Sequence, residues 1–149
     1  MEKKLHNPAS KEEFEAVCLS KRALCAIAFM DSYEKDRHQA LLNELDQVVE
    51  KHYKNYHILW IEGPQQIDLY NSLQLGGGFP ALAVYSPTKK RVVPYLSGFN
   101  AKDINEFLDS VLRGAKSKEV QIAEFVKPEP IVIEEDDEDL DIKEGKDEL

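Results

Sequence analysis

The sequence lacks any Cys-x-x-Cys pair, and its 149 residues contain only two cysteines, Cys18 and Cys25, with six residues between them. That spacing matches no common metal-ligand motif. Long apolar runs are also missing, because the longest, residues 23–30, is far shorter than the roughly 20 residues that cross a bilayer. No apolar segment follows Lys3 and Lys4, so no secretory signal is visible. We therefore expect no membrane insertion and no specific metal site in the folded part.

Positive charge is scarce as well. The chain has 19 Lys and Arg residues against 28 Asp and Glu residues, which gives a formal net charge of −9. Most of this excess lies in residues 134–149, where ten acidic residues stand against two lysines, whereas residues 1–133 are nearly neutral. Proteins that bind nucleic acid present a basic face to the phosphates. No such face can be assembled here, and we expect no nucleic-acid partner.

The most informative stretch that is present is the glycine run 76–78 with Phe79 and Pro80, followed at once by the apolar segment 81–85. Proline cannot donate to a central ladder, so Pro80 is predicted at the first residue of a strand. A cis X-Pro bond costs only roughly 0.5–1 kcal/mol, and we expect one in this glycine-rich entry. The alternative is that Pro80 only ends the preceding helix.

Hydrophobic periodicity divides the rest of the chain into helices and strands. The patterns predict helices near 11–20, 36–54, 67–73 and 101–113, and strands near 4–6, 23–30, 58–61, 81–85 and 91–95. Two strand–helix–strand units followed by a hairpin predict an α/β fold with a mixed sheet and helices on both faces. We assign this domain to residues 1–115, a linker to 116–133 and a disordered acidic tail to 134–149, because charge density opposes compaction there.

The order of elements, with Gly78-Phe79-Pro80, the hairpin, Gly98 and the last helix, resembles the thioredoxin fold. The resemblance implies a cis-proline at Pro80 beside the family's active-site edge. Redox-active members open their second helix with Cys-x-x-Cys, but those two cysteine positions fall here on Tyr33 and Asp36, and the family's strand acid falls on Ile27. The resemblance therefore implies that no catalytic residue is present, and we expect this chain not to be an enzyme because it has no Cys-x-x-Cys.

Three interpretations of Cys18 and Cys25 remain open. They are two buried apolar thiols, a structural disulfide between the first helix and the next strand, or an unconventional redox pair. A disulfide closing so short a loop would stabilise the fold by about 2–3 kcal/mol on the chain-entropy model.

The last four residues, Lys146, Asp147, Glu148 and Leu149, form the retrieval signal of proteins of the endoplasmic-reticulum lumen. A thioredoxin-like domain without the dithiol, followed by an acidic tail and this signal, resembles the C-terminal part of a protein disulfide isomerase. The type with two redox domains before one inactive domain is the most similar, through residues 25–29, 36–37, 41–42, 60, 75–77 and 104–108. The acidic tail is shorter than in that type, and no Trp-Asp-Gly follows Pro130. The resemblance implies a fragment whose catalytic domains and entry signal lie upstream.

We therefore expect a binding and scaffolding domain for unfolded or partly folded secretory proteins, with luminal chaperones and the KDEL receptor as further partners. The binding surface is predicted at Tyr33, Phe79 and Pro80, where exposed aromatics suit sequence-tolerant contact, unless Phe79 packs inward. One alternative is an oxidoreductase that uses Cys18 and Cys25. Another is weak calcium binding by carboxylates. The latter would involve Glu134, Glu135, Asp136, Asp137, Glu138 and Asp139. No cofactor is expected.

Overall fold

A computed structural model describes residues 2–20 and 22–132. The strands are β1 (Leu5–His6), β2 (Leu24–Met30), β3 (Tyr56–Glu62), β4 (Ala81–Ser86), β5 (Arg91–Tyr95) and β6 (Lys118–Glu119). The helices are α1 (Lys11–Phe14, continued by a π-helical turn Glu15–Leu19), α2 (Lys35–His52), α3 (Ile67–Ser72, after a 3₁₀ turn Gly63–Gln65) and α4 (Ala101–Leu112).

The six strands form one mixed sheet in the order β1-β3-β2-β4-β5-β6. The pairs β1·β3 and β3·β2 are parallel, and the remaining pairs are antiparallel. Helices cover both faces, so the predicted thioredoxin-like α/β fold class is confirmed.

Two hydrophobic clusters lie on opposite faces of the sheet, and β2 contributes to both. Ile27 and Phe29 pack with α1 and α3, whereas the alternate residues Ala28 and Met30 pack with α2 and α4. A strand buried on both faces has no polar side to show, which explains the continuous apolar run at 23–30.

Side-chain caps define where α1 and α4 begin. The Ser10 hydroxyl accepts from Glu13 N at 3.1 Å, as the Ser-x-x-Glu pattern predicts for a helix start. Asn100 caps α4 in the same way, through Asp103 N at 2.9 Å. Glu44 on α2 then accepts from Ala101 N at 2.7 Å, which ties the first turn of α4 to the neighbouring helix.

The segment predicted as a linker, 116–133, is packed on the domain over much of its length. Residues 118–119 pair with β5 as the sixth strand. Phe125 is buried and stacks on Phe14, with ring centroids 5.0 Å apart. Gln66 uses both ends of its amide on the backbone of Val126, at 2.6 and 3.0 Å. The linker assignment depended on Pro128 and Pro130, which favour extended backbone, and did not include these contacts.

No helix within the described ranges is long and apolar enough to span a membrane. The predicted acidic tail and its retrieval motif lie outside the described residues.

One histidine, His52, is buried in the fold. His52 is 2 % exposed, packs edge-on against Tyr56, and has Nε2 3.7 Å from Asp109 Oδ1. Burial lowers the pKa of His52 below its ordinary value of 6.5, because desolvation disfavours the imidazolium more than Asp109 favours it. The unfolded chain therefore binds this proton more readily than the folded chain does.

We predict that the free energy of unfolding falls as pH is lowered through 6.5, and that His52→Gln has a shallower pH dependence than the wild type. Burial also lowers the pKa of His6. His6 therefore contributes to the pH dependence of the unfolding free energy in both proteins. Urea titrations at several pH values between about 7.5 and 5.5 measure this directly. Parallel pH curves for the two proteins would contradict the assignment to His52.

Candidate functional site

Three loops leave the sheet at one edge because of the strand register. Phe29 pairs with Ala81 and Leu82 pairs with Tyr95, both in antiparallel strand pairs. The end of β2, the start of β4 and the end of β5 therefore lie together. We call the loops 31–34, 76–80 and 96–100 at this place the loop edge.

Loop 31–34 is held by one buried carboxylate. Glu62, at the end of β3, is 7 % exposed. Its Oε2 accepts from Ser32 N at 3.0 Å, and its Oε1 accepts from the Ser32 hydroxyl. Asp31 Oδ1 accepts from Tyr33 N at 3.0 Å. These bonds set the entry to α2 and leave Tyr33 with 49 % of its surface exposed. Sequence analysis did not identify Glu62, because an acid at a strand end is normally a surface residue.

The positions that correspond to the family dithiol carry no thiol in this structure. Asp36 lies in the first turn of α2 and is exposed, as is Tyr33. Ile27, at the position of the family's strand acid, is fully buried among apolar side chains.

Loop 76–80 is anchored by Tyr70 of α3. The Tyr70 hydroxyl accepts from Gly78 N at 2.7 Å and donates to Gly78 O at 3.1 Å. Gly78 has φ of +89°, a conformation that strongly favours glycine. The following peptide bond, Phe79-Pro80, is cis. Helical periodicity indicated only that Tyr70 lies on the apolar face of a helix. The role of its hydroxyl in anchoring the loop was therefore missed.

Phe79 points toward the core, which agrees with the alternative that it packs inward and not with a shared exposed aromatic surface with Tyr33. Its ring lies edge-on to Tyr70, with centroids 5.0 Å apart. It also covers Gly63, where an added Cβ would overlap the ring. The glycine leaves room for the ring, so Phe79 is partly buried while Tyr33 stays exposed.

Loop 96–100 contributes an apolar side chain that sequence analysis did not identify. Leu96 is 90 % exposed directly after β5, whereas Tyr95 before it is buried. The Tyr95 hydroxyl donates to Gly98 O and closes the loop that begins at Leu96. A single leucine before Ser-Gly carries no pattern from which exposure could be predicted.

The two cysteines form a disulfide, Cys18–Cys25, and both residues have 0 % exposure. This corrects the expectation that the chain is not an enzyme because it lacks a Cys-x-x-Cys motif. The domain holds an oxidised cysteine pair at a different place, between the π-helical turn and β2. Lack of Cys-x-x-Cys therefore does not establish that the domain is without thiol chemistry.

Among residues 2–20 and 22–132, no group of three or more His, Cys, Asp or Glu side chains is arranged to hold a metal ion. The carboxylates predicted to bind calcium, 134–139, lie beyond this range.

Comparison with protein families gives one match over most of the domain. A family described as "PDIA6-like, C-terminal thioredoxin-like domain" matches residues 2–116. The protein disulfide-isomerase A6 homolog of Drosophila melanogaster is 32 % identical over 157 aligned positions, covering 94 % of this chain and 36 % of that protein. Protein disulfide-isomerase like 2-2 of Arabidopsis thaliana is 30 % identical over 100 positions, covering 63 % and 22 %. The chain thus spans about a third or less of these relatives.

Solved structures show the same fold. Chloroplastic thioredoxin z superposes with a TM-score of 0.58 at 22 % identity, covering 76 % of this chain and 99 % of that one. The bb fragment of ERp72 superposes with a TM-score of 0.58 at 15 % identity, covering 78 % and 50 %. At these identities the likeness concerns the fold alone.

We predict that Tyr70→Phe loosens the loop edge without unfolding the domain. The substitution removes the hydroxyl that bonds both backbone groups of Gly78, and a loss of about 1–3 kcal/mol in unfolding free energy is expected. Amide exchange at Gly78 and Phe79 should accelerate. Tyr85→Phe is the matched control, because the hydroxyl of this buried tyrosine makes no hydrogen bond within the described residues. Equal exchange in the two variants would refute the anchoring role.

Proposed function

Since the chain belongs to the protein disulfide isomerase family, as a PDIA6-like C-terminal thioredoxin-like domain, we propose that it binds unfolded or partly folded secretory proteins at its loop edge. Because the chain spans about a third or less of these relatives, catalytic domains outside it would act on the bound client. The domain would then supply client retention in oxidative protein folding.

The observation that carries this proposal is the exposure of large apolar side chains at one edge. Tyr33 and Leu96 belong to loops on either side of Pro80, and they are 49 % and 90 % exposed. Apolar groups clustered on a surface commonly mark interaction sites. Tyrosine in particular is enriched in interfaces, because it offers both an apolar ring and a hydroxyl. An edge with these groups suits extended chains of varied sequence.

The backbone beneath these side chains is preorganised. Glu62 fixes loop 31–34, Tyr70 fixes loop 76–80, and Tyr95 fixes loop 96–100. Binding therefore costs little further ordering of the domain, and the entropy loss falls on the client. Weak, sequence-tolerant binding is the expected outcome.

The proposal includes a compartment and partners. The terminal Lys146–Leu149 sequence supports residence in the endoplasmic-reticulum lumen through the KDEL receptor. Luminal chaperones are proposed as further partners of the domain. We also propose that the chain belongs to the protein disulfide isomerase subtype in which two redox-active domains precede this domain. Residues 134–148 would act mainly as a solubilising spacer and bind calcium only weakly.

We predict that Tyr33→Ser with Leu96→Ser weakens binding of an unfolded client by roughly thirtyfold, because each change removes apolar contact worth about 1 kcal/mol. Fluorescence anisotropy of a labelled, reduced and alkylated secretory protein measures the affinity. Thermal unfolding should be nearly unchanged, since neither side chain is buried.

Leu112→Ser is the matched control. Leu112 is also an exposed leucine, at 46 %, but it ends a helix that starts near the loop edge and runs about 17 Å away from it. Client affinity should survive this change. An equal loss in the control and the double variant would show that exposed apolar area in general, and not this edge, binds clients.

A second candidate function is thiol–disulfide exchange at Cys18–Cys25, and the bond itself is the observation in its favour. In that reaction a client dithiol would be oxidised while the domain disulfide is reduced to two thiols. Exchange begins with attack of a thiolate on a sulfur. Both cysteines have 0 % exposure, so the core around Phe14 would have to open first.

Exchange at the Cys18–Cys25 bond predicts a measurable rate of oxidation of a reduced peptide by the purified chain, and loss of that rate in Cys25→Ser. Denaturant below the unfolding midpoint should raise the wild-type rate, because opening limits attack. Rates equal to the uncatalysed background in the wild type would reject this second function and leave client binding intact.

A further inference from the structure

A cavity of about 230 Å³ lies beside the loop edge, around the end of β3. Ser32, Trp60 and Glu62 line one side, and Phe125 and Ile131 of the docked C-terminal segment line the other. The pairing of β1 with β3 ends at Leu59, and this leaves the end of β3 open to the cavity. Ser32 belongs to the cavity and also precedes the exposed Tyr33, so the cavity adjoins the proposed client surface.

The charge of the cavity is one-sided. Glu62, itself 7 % exposed, and Glu129 at the outer side are both lining residues, and none of the described lining residues is basic. The ion pairs recorded among the described residues do not include Glu62. A buried carboxylate is costly unless a cation or several hydrogen bonds compensate it.

Glu62 has unused hydrogen-bonding capacity. A carboxylate can accept about four hydrogen bonds. Ser32 supplies two, one to each oxygen. The imidazole of His38 lies with Nε2 3.5 Å from the Ser32 hydroxyl. Each oxygen of Glu62 therefore retains a position for a donor that comes from outside the domain.

We propose that this cavity binds the guanidinium of an arginine side chain in the bound client. Arginine suits it better than lysine, because its planar cation is weakly hydrated, pairs with carboxylates and stacks on apolar walls. The volume is sufficient, since a cavity of roughly 150 Å³ already accommodates benzene. The identity of the occupant as a client side chain rests on the proposed function, whereas the affinity of the cavity for the guanidinium does not.

The chain offers a direct reporter for the test. Trp60 is its single tryptophan and lines the cavity. The probe is N-acetyl-argininamide, titrated into the full chain at low ionic strength, and the matched neutral probe is N-acetyl-citrullinamide. We expect a saturable change in tryptophan fluorescence with the arginine probe, and an affinity at least about tenfold weaker for the citrulline probe.

Glu62→Gln should reduce the arginine affinity to that of citrulline. Asp36→Asn, which removes an exposed carboxylate of α2 outside the cavity, should leave it unchanged. Equal responses of the wild type to the two probes would overturn the proposal, even if Glu62→Gln failed to fold. Unchanged arginine affinity in a folded Glu62→Gln would overturn it as well.

A peptide arm separates this inference from the proposed function. A client peptide with one arginine should bind the wild type more tightly than its citrulline counterpart, and Glu62→Gln should remove the difference in affinity between the two peptides. Tyr33→Ser with Leu96→Ser should weaken both peptides and leave argininamide binding intact. If the wild type bound argininamide but neither peptide, the cavity would be a guanidinium site without a role in client binding. Retained peptide binding with no preference for arginine would reject the guanidinium site alone.

Discussion

Burial of β2 on both faces is the constraint on which the rest of this structure depends. Its seven residues, Leu24–Met30, pair with β3 on one side and β4 on the other, and its side chains enter both hydrophobic clusters. A strand in that position admits one register, because a shift of one residue would exchange the two clusters. The register in turn brings the three loops of the loop edge together.

The loop edge then depends on polar groups that the core elements hold in place. Glu62 ends a buried strand, and Tyr70 lies on a helix whose inner face is apolar. Glu62 accepts hydrogen bonds from the backbone and hydroxyl of Ser32, and Tyr70 bonds the backbone of Gly78. Buried polar groups of this kind need a partner, and each one rigidifies the loop that supplies it. The rigid loops hold Tyr33 and Leu96 in exposed positions.

The oxidised cysteine pair shows how the absence of a motif can mislead. A Cys-x-x-Cys motif places a thiol at a helix N-terminus, where the helix dipole stabilises the thiolate. Cys18 and Cys25 instead lie in the core, joined between the π-helical turn and β2. The same bond that closes a short loop is shielded from attacking thiolates. The burial that stabilises this disulfide therefore also limits its reaction with thiolates, and the rate of that reaction depends on how readily the core opens.

Local patterns determined the elements of this protein. The apolar run at 23–30, the helical spacing in α2 and α4, the Ser10 cap and the Gly-Phe-Pro stretch each predicted an element because helix and strand periodicities are properties of neighbouring residues. From these the fold class followed. The positions corresponding to a dithiol, and with them Tyr33 and Pro80 at the loop edge, were implied by the resemblance to the thioredoxin family.

Tertiary structure alone decided the rest, because it concerns contacts between residues far apart in the chain. Phe79 turned inward because Gly63, sixteen residues earlier, leaves room for its ring. Phe125 docked because Phe14 offers a flat ring at the far end of the sequence, and Gln66 offers an amide to the backbone beside it. Glu62 became a buried anchor because the strand order placed it beside Ser32. Such contacts depend on the assembled sheet, and no periodicity of the chain encodes them.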